Sequence, residues 1–149
     1  MAAQFRAERE GANELTYFAD LSPYGYRFVQ PNFNEKLLNV GWLDPSVPFS
    51  KGIVEHEVIA RLFRLCEKPM NRCRGYHFCP YGSLESPASP CSCPVRATLG
   101  PWTLIVGDGE IRVPGKNGVV YAAPTLICHY VQRHSYCPPA EFLEALRRE

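Results

Sequence analysis

The sequence lacks most of the patterns by which a chain announces its task. No apolar run approaches the ~20 residues of a membrane span. The opening residues, MAAQFRAEREGANE, are polar and charged, with no apolar segment of a secretory leader after them. A cytoplasmic protein with no membrane partner is therefore expected. An excess of one charge is missing too: the formal net charge is +1, which argues against a chain whose main task is coating nucleic acid or an anionic surface. There is no C-x-x-C pair and no H-E-x-x-H, since His56-Glu57 has no second histidine at the right offset. The run GDGEIRVPG is glycine-rich, but it sits between strand-like segments and lacks the Lys-Ser/Thr end of a phosphate loop. Zinc deaminases use H-x-E with P-C-x-x-C. Here His77-Phe78-Cys79 and Pro90-Cys91-Ser92-Cys93 miss both halves, and the general-base glutamate is absent. No catalytic residue and no residue for an organic cofactor emerges, and the reading leans away from an enzyme.

What the chain does have is cysteine, seven residues in 149. In a reducing compartment such thiols pack, bind metal or do chemistry more often than they pair. A hydrophobic fraction of 46% with 21% charged residues is ordinary for a globular protein, so a core can form without staples. The organisation expected is a loose lead-in over 1–14 and a single domain over 15–149.

Along that domain the periodicity changes several times. An aromatic, Pro- and Asn-rich start contains a strand near Leu37 to Leu43. Val54, Val58, Ile59, Leu62, Phe63, Leu65 and Cys66 then fit one wide helical face, so a helix is expected over 54–66, ending before Pro69. After a Cys-rich loop come WTLIV, EIRV and GVVYAA, separated by GDG and PGKNG. Gly and Asn tolerate the positive φ of hairpin turns, which predicts an antiparallel meander over 102–106, 110–113 and 119–122. Pro124 is expected to open a helix carrying Leu126, Ile127, Tyr130, Val131 and His134. Pro139 is expected in the first turn of a last one. The fold class is α+β, a small antiparallel meander packed against two or three helices, with a zinc-binding loop.

The chemistry concentrates in RGYHFCPYGSLESPASPCSCPVRA. A structural zinc needs four N or S ligands, and the candidates are His77, Cys79, Cys91, Cys93, His129 and His134. A loop with cysteines followed by H-x₃₋₅-H on a helix is zinc-finger logic, although here the meander separates the halves. Five helical residues turn by about 140°, so His129 and His134 share no face unless the last turn is distorted. The alternative puts His134 on the core face with Tyr130 and leaves His129 in solvent. Cys66 and Cys128 read as core thiols, while Cys73 and Cys137 flank turns. The basic run Arg61, Arg64, Lys68, Arg72 and Arg74 is a solvated face, or a docking patch for an acidic partner or nucleic acid. Tyr76, Phe78 and Tyr81 could stack on bases or line the core. Asp20 and Tyr24 to Tyr26 are pocket candidates if the protein is an enzyme, and otherwise a turn with aromatic packing.

LTYFADLSPYGY, LNVGWLD, NRCRGYHFC and GEIRVPGKNGVVYAAPTLICHYVQRHSYCPPAEFLEAL together resemble a family of small uncharacterised bacterial proteins grouped as a domain of unknown function. The likeness runs from about Leu15 onward. The family pattern carries H-x-C-x-x-C after an Arg-Gly pair, then a Tyr-Ala-Ala-Pro helix with His-Tyr-Val-x-x-His-x-Tyr. His77, Cys79, His129 and His134 match it. Gly82 stands where the family has its second cysteine, and the following insertion brings Cys91 and Cys93. The resemblance implies a shared site at the matching residues and no reaction. The first expectation is thus a small zinc-binding protein whose structural metal supports binding to a protein partner, with nucleic acid only weakly indicated. An immunity- or antitoxin-like stoichiometric binder is a second, and a metal- or Cys-dependent hydrolase a third.

Overall fold

A computed structural model describes residues 17–25, 36–82, 91 and 94–148. The lead-in expected over 1–14, Tyr26 and Cys93 lie outside the described residues. The order of elements is β1 (Lys36–Asn39), α1 (His56–Cys66), β2 (Val95–Leu99), β3 (Trp102–Val106), β4 (Glu110–Pro114), β5 (Val119–Pro124), α2 (Ile127–Arg133) and α3 (Ala140–Arg147). The α+β class expected from the sequence holds, with small sheets against three helices.

Helix α1 forms where the 3.6-residue period was read, and Val58, Leu62, Phe63 and Cys66 are its buried stripe. Glu57 in its first turn and Arg64 in its last complement the helix dipole. The strands β4 and β5 form the expected antiparallel hairpin. Asn117 and Gly118 supply the positive φ of its turn, at 56° and 77°. The third expected strand, β3, turns the other way and pairs with β2. That strand was hidden in the sequence behind the prolines and cysteines of the loop. Its buried-exposed alternation at Val95, Arg96, Ala97 and Thr98 is nevertheless that of a half-buried strand. A two-residue turn, Gly100–Pro101, links it to β3, with Gly100 at φ 57°. The other sheet has the order β1-β5-β4, and β1 runs parallel to β5 across most of the chain.

Pro124 does not open a helix. It is the last residue of β5, opposite Glu110, where its missing N–H ends the ladder. The chain turns at Thr125 and Leu126 and enters α2 directly, with the Cys128 N–H donating to the Thr125 carbonyl. The last helix forms as expected, but Pro139 is its N-cap, just ahead of the first turn rather than in it. Between the layers sit Phe63, Tyr130, Tyr136 and Phe142, each at most 1% exposed. The described part of the ADLSPYGY stretch, residues 19–25, is a structural tie. Asp20 accepts from the Gly41 N–H at 2.9 Å and the Tyr136 hydroxyl at 2.8 Å, while the Tyr24 hydroxyl donates to the buried Glu110 carboxylate at 2.8 Å.

Gly41 shows how tightly the start of α2 is seated. Its φ is 80°, and a Cβ there would lie 2.9 Å from the Ile127 side chain. Gly41→Ala is expected to cost about 1–3 kcal/mol in chemical denaturation, from left-handed strain plus overpacking. Gly25→Ala, whose Cβ would meet nothing within 4 Å, should change stability by less than about 0.5 kcal/mol. Equal costs at the two positions would show that α2 is not held this way.

Candidate metal centre

Among the described residues, four of the six sequence candidates come together. The donor atoms of Cys79, Cys91, His129 and His134 all lie within 4.8 Å of one another. The thiols come from the Cys-rich loop and the imidazoles from α2 and the residue that ends it. His77 is not among the four. Its backbone N–H donates to the Gly107 carbonyl at 2.8 Å, and Gly107 has no room for a Cβ against the His77 carbonyl oxygen. His77 is thereby fixed to the turn between β3 and β4. Of the cysteine pair Cys91 and Cys93, the structure places Cys91 in the group.

The histidines meet because α2 stops between them. Seven residues, Ile127–Arg133, are helical. His134 departs from helical geometry at φ −119° and ψ 9°, and Ser135 follows at φ 57°. The Tyr130 carbonyl accepts from both the His134 N–H at 3.0 Å and the Tyr136 N–H at 3.1 Å, so the chain wraps back over the last turn. That wrap cancels the angular offset an ideal helix would impose, and the two rings sit with centroids 5.0 Å apart. His129 is 5% exposed rather than solvated.

On the loop side the Tyr81 carbonyl is the shared anchor. The Cys79 and Cys91 thiols approach it at 3.6 and 3.5 Å. The Tyr81 ring covers His134 at 5.2 Å and stands edge-on to Tyr130 and Phe49. An aromatic wall thus closes the side of the cluster where the loop meets α2.

The distances carry chemical information. His134 Nε2 lies 3.2 Å from His129 Nε2, 3.2 Å from Cys79 Sγ and 3.6 Å from Cys91 Sγ. One imidazole nitrogen carries either one proton or one lone pair, so it cannot hydrogen-bond all three. Tetrahedral ligands at zinc bond lengths, about 2.0 Å to N and 2.3 Å to S, would stand about 3.3 Å apart for N and N and about 3.5 Å for N and S. The spacing is that of donors around a common point, and the group could hold a metal ion. His129 Nδ1 is buried without a hydrogen-bond partner among the described residues. A cation at Nε2 would place the proton on this Nδ1.

Burial pushes the Cys79 thiol up to about 12. Burial first, then the neighbouring His134 and Arg133, takes His129 down to about 4. His134 is lowered by burial, Arg133 and Lys51. The imidazoles are thus already in their ligating form, while a cation must displace the Cys79 proton.

Other singled-out residues have plainer roles. Cys66 and Cys128 are buried at 4% and 0% exposure, as expected of core thiols. Of the basic run, Arg61 donates to the Leu146 carbonyl at 3.0 Å, to the Arg147 carbonyl and to Glu57. Arg72 pairs with Asp108 at 2.7 Å. Among the described residues no helix is long and apolar enough to cross a membrane.

In protein stripped of metal, His129 is expected to stay neutral down to about pH 4, against an ordinary value of 6.5. The unfolded chain therefore takes up this proton at a higher pH than the folded one. Stability from this group is complete above its ordinary value and falls as the pH drops from there toward the folded value, by up to about 1.4 kcal/mol per pH unit. Imidazole NMR titration of the stripped protein reads this directly; a His129 midpoint at its ordinary value would contradict the burial argument.

Comparison with known proteins adds one placement. No curated protein and no solved structure matches this chain. Residues 16–147 match the family model described as a domain of unknown function, DUF7919. The chain belongs to that family.

Proposed function

We propose that Cys79, Cys91, His129 and His134 hold one zinc ion at a closed structural site, and that the protein works as a binding module built around it. The three-way approach to His134 Nε2 carries this reading. Nitrogen and thiolate donors without a carboxylate favour zinc over magnesium or calcium. Four protein ligands complete a tetrahedron and leave no position for an activated water, which is the condition for hydrolysis at zinc. The ion would join the loop to the end of α2, where the Tyr81 ring already packs on Tyr130 and His134.

A protein partner is favoured over nucleic acid. Two of the five basic residues are engaged within the molecule, Arg61 at the end of α3 and Arg72 at Asp108. Trp102, Ile105, Phe78 and Tyr76 are 67%, 45%, 40% and 38% exposed, and exposed aromatics are enriched where proteins meet.

Protein purified without added metal is expected to carry about one equivalent of zinc. Cys79→Ser and His134→Ala should lose it, and His77→Ala should keep it. Chelation should lower stability by about 4 kcal/mol if the ion is held at a thousand times its Kd. Elemental analysis with thermal denaturation reads both. Less than about a tenth of an equivalent of any metal in a folded preparation would dismiss the zinc reading.

A further inference from the structure

The donors divide by chain segment. Both thiols belong to one stretch, Cys79 and Cys91, and both imidazoles to the end of α2, His129 and His134. The two thiols face one acceptor, the Tyr81 carbonyl, and their sulfurs lie within 4.8 Å of each other. They also differ in access: Cys79 is 9% exposed, whereas Cys91 is only partly buried. A more exposed thiolate next to a less exposed one is an arrangement open to an attacked and a resolving cysteine. Any bond formed between them would join two residues of one chain segment and would give up the shared tie to the histidines.

We propose that this centre is a redox switch, in which two-electron oxidation joins Cys79 to Cys91, expels the metal and uncouples the loop from α2. The inference rests on the zinc reading above. With hydrogen peroxide as oxidant, the Cys91 thiolate takes an oxygen atom to give a sulfenic acid, and hydroxide leaves as water after protonation. The Cys79 thiolate attacks the Cys91 sulfur, the S–S bond forms, and the sulfenic oxygen departs as a second water. Two electrons pass from the two sulfurs to one peroxide. The zinc, left with two imidazoles, goes to solvent. A dithiol reductant reverses the sulfur chemistry, and zinc can then return.

The test uses the full zinc-loaded chain carrying Cys93→Ser, so that the neighbouring thiol cannot compete. Metal content is measured first, then peroxide is added in the presence of a chromogenic zinc chelator, and the products are mapped without reduction. The switch requires about one zinc released per disulfide, a peptide linking Cys79 to Cys91, and recovery of zinc binding after dithiothreitol. Zinc retained under peroxide would overturn it. So would release with Cys79 and Cys91 ending as separate sulfinic acids, or in disulfides to other cysteines; either result leaves the zinc reading standing. A reduced protein that holds no zinc removes both.

Discussion

Everything distinctive in this molecule depends on where α2 stops. A helix continued through residue 134 would turn the second imidazole about 140° from the first and disperse the donors. The departure of His134 from helical geometry, the left-handed Ser135 and the doubly used Tyr130 carbonyl bring the rings together instead. A serine held at positive φ is costly, and the surrounding structure must hold it. Tyr136, wholly buried and bonded to Asp20, pins the chain just beyond it. Asp20 also accepts from Gly41, and Gly41 packs on the first residue of α2. Both ends of this short helix are therefore set by one small network.

The loop reaches α2 by a different route. Residues 70–77 lie along the turn between β3 and β4, with Met70 and Glu110 exchanging backbone bonds, Cys73 donating to Asp108 and His77 to Gly107. This sets the direction in which the chain arrives at Cys79. From there the Tyr81 carbonyl and ring gather the sulfurs toward His134. The cluster thus joins two parts of the fold that regular secondary structure does not link. A metal acting there would serve as a cross-tie between them.

Much was legible in the residues. The helical stripe of α1, the β4–β5 hairpin and the proline ahead of α3 follow from period and turn chemistry, which act over a few residues. The donor types were legible too, and so was the need for a distorted turn between His129 and His134. Less visible was β2, whose alternation was masked by the flanking prolines and cysteines. The role of Pro124 was misread because a proline can close a strand as well as open a helix. That β3 leaves β4 for β2, and that β1 lies parallel to β5, are pairings between distant segments. No local pattern encodes them.

By itself, then, the sequence determined the class of fold, the elements whose faces repeat locally, and a pool of soft donors in two distant places. Only the tertiary structure decided which of them meet. It took Cys91 from the pool, left His77 at the β3–β4 turn and folded His134 back on His129. The reason is physical: periodicity reports which way a side chain points within its own element, whereas a four-donor site depends on loop closures and a helix end fixed by contacts from across the chain.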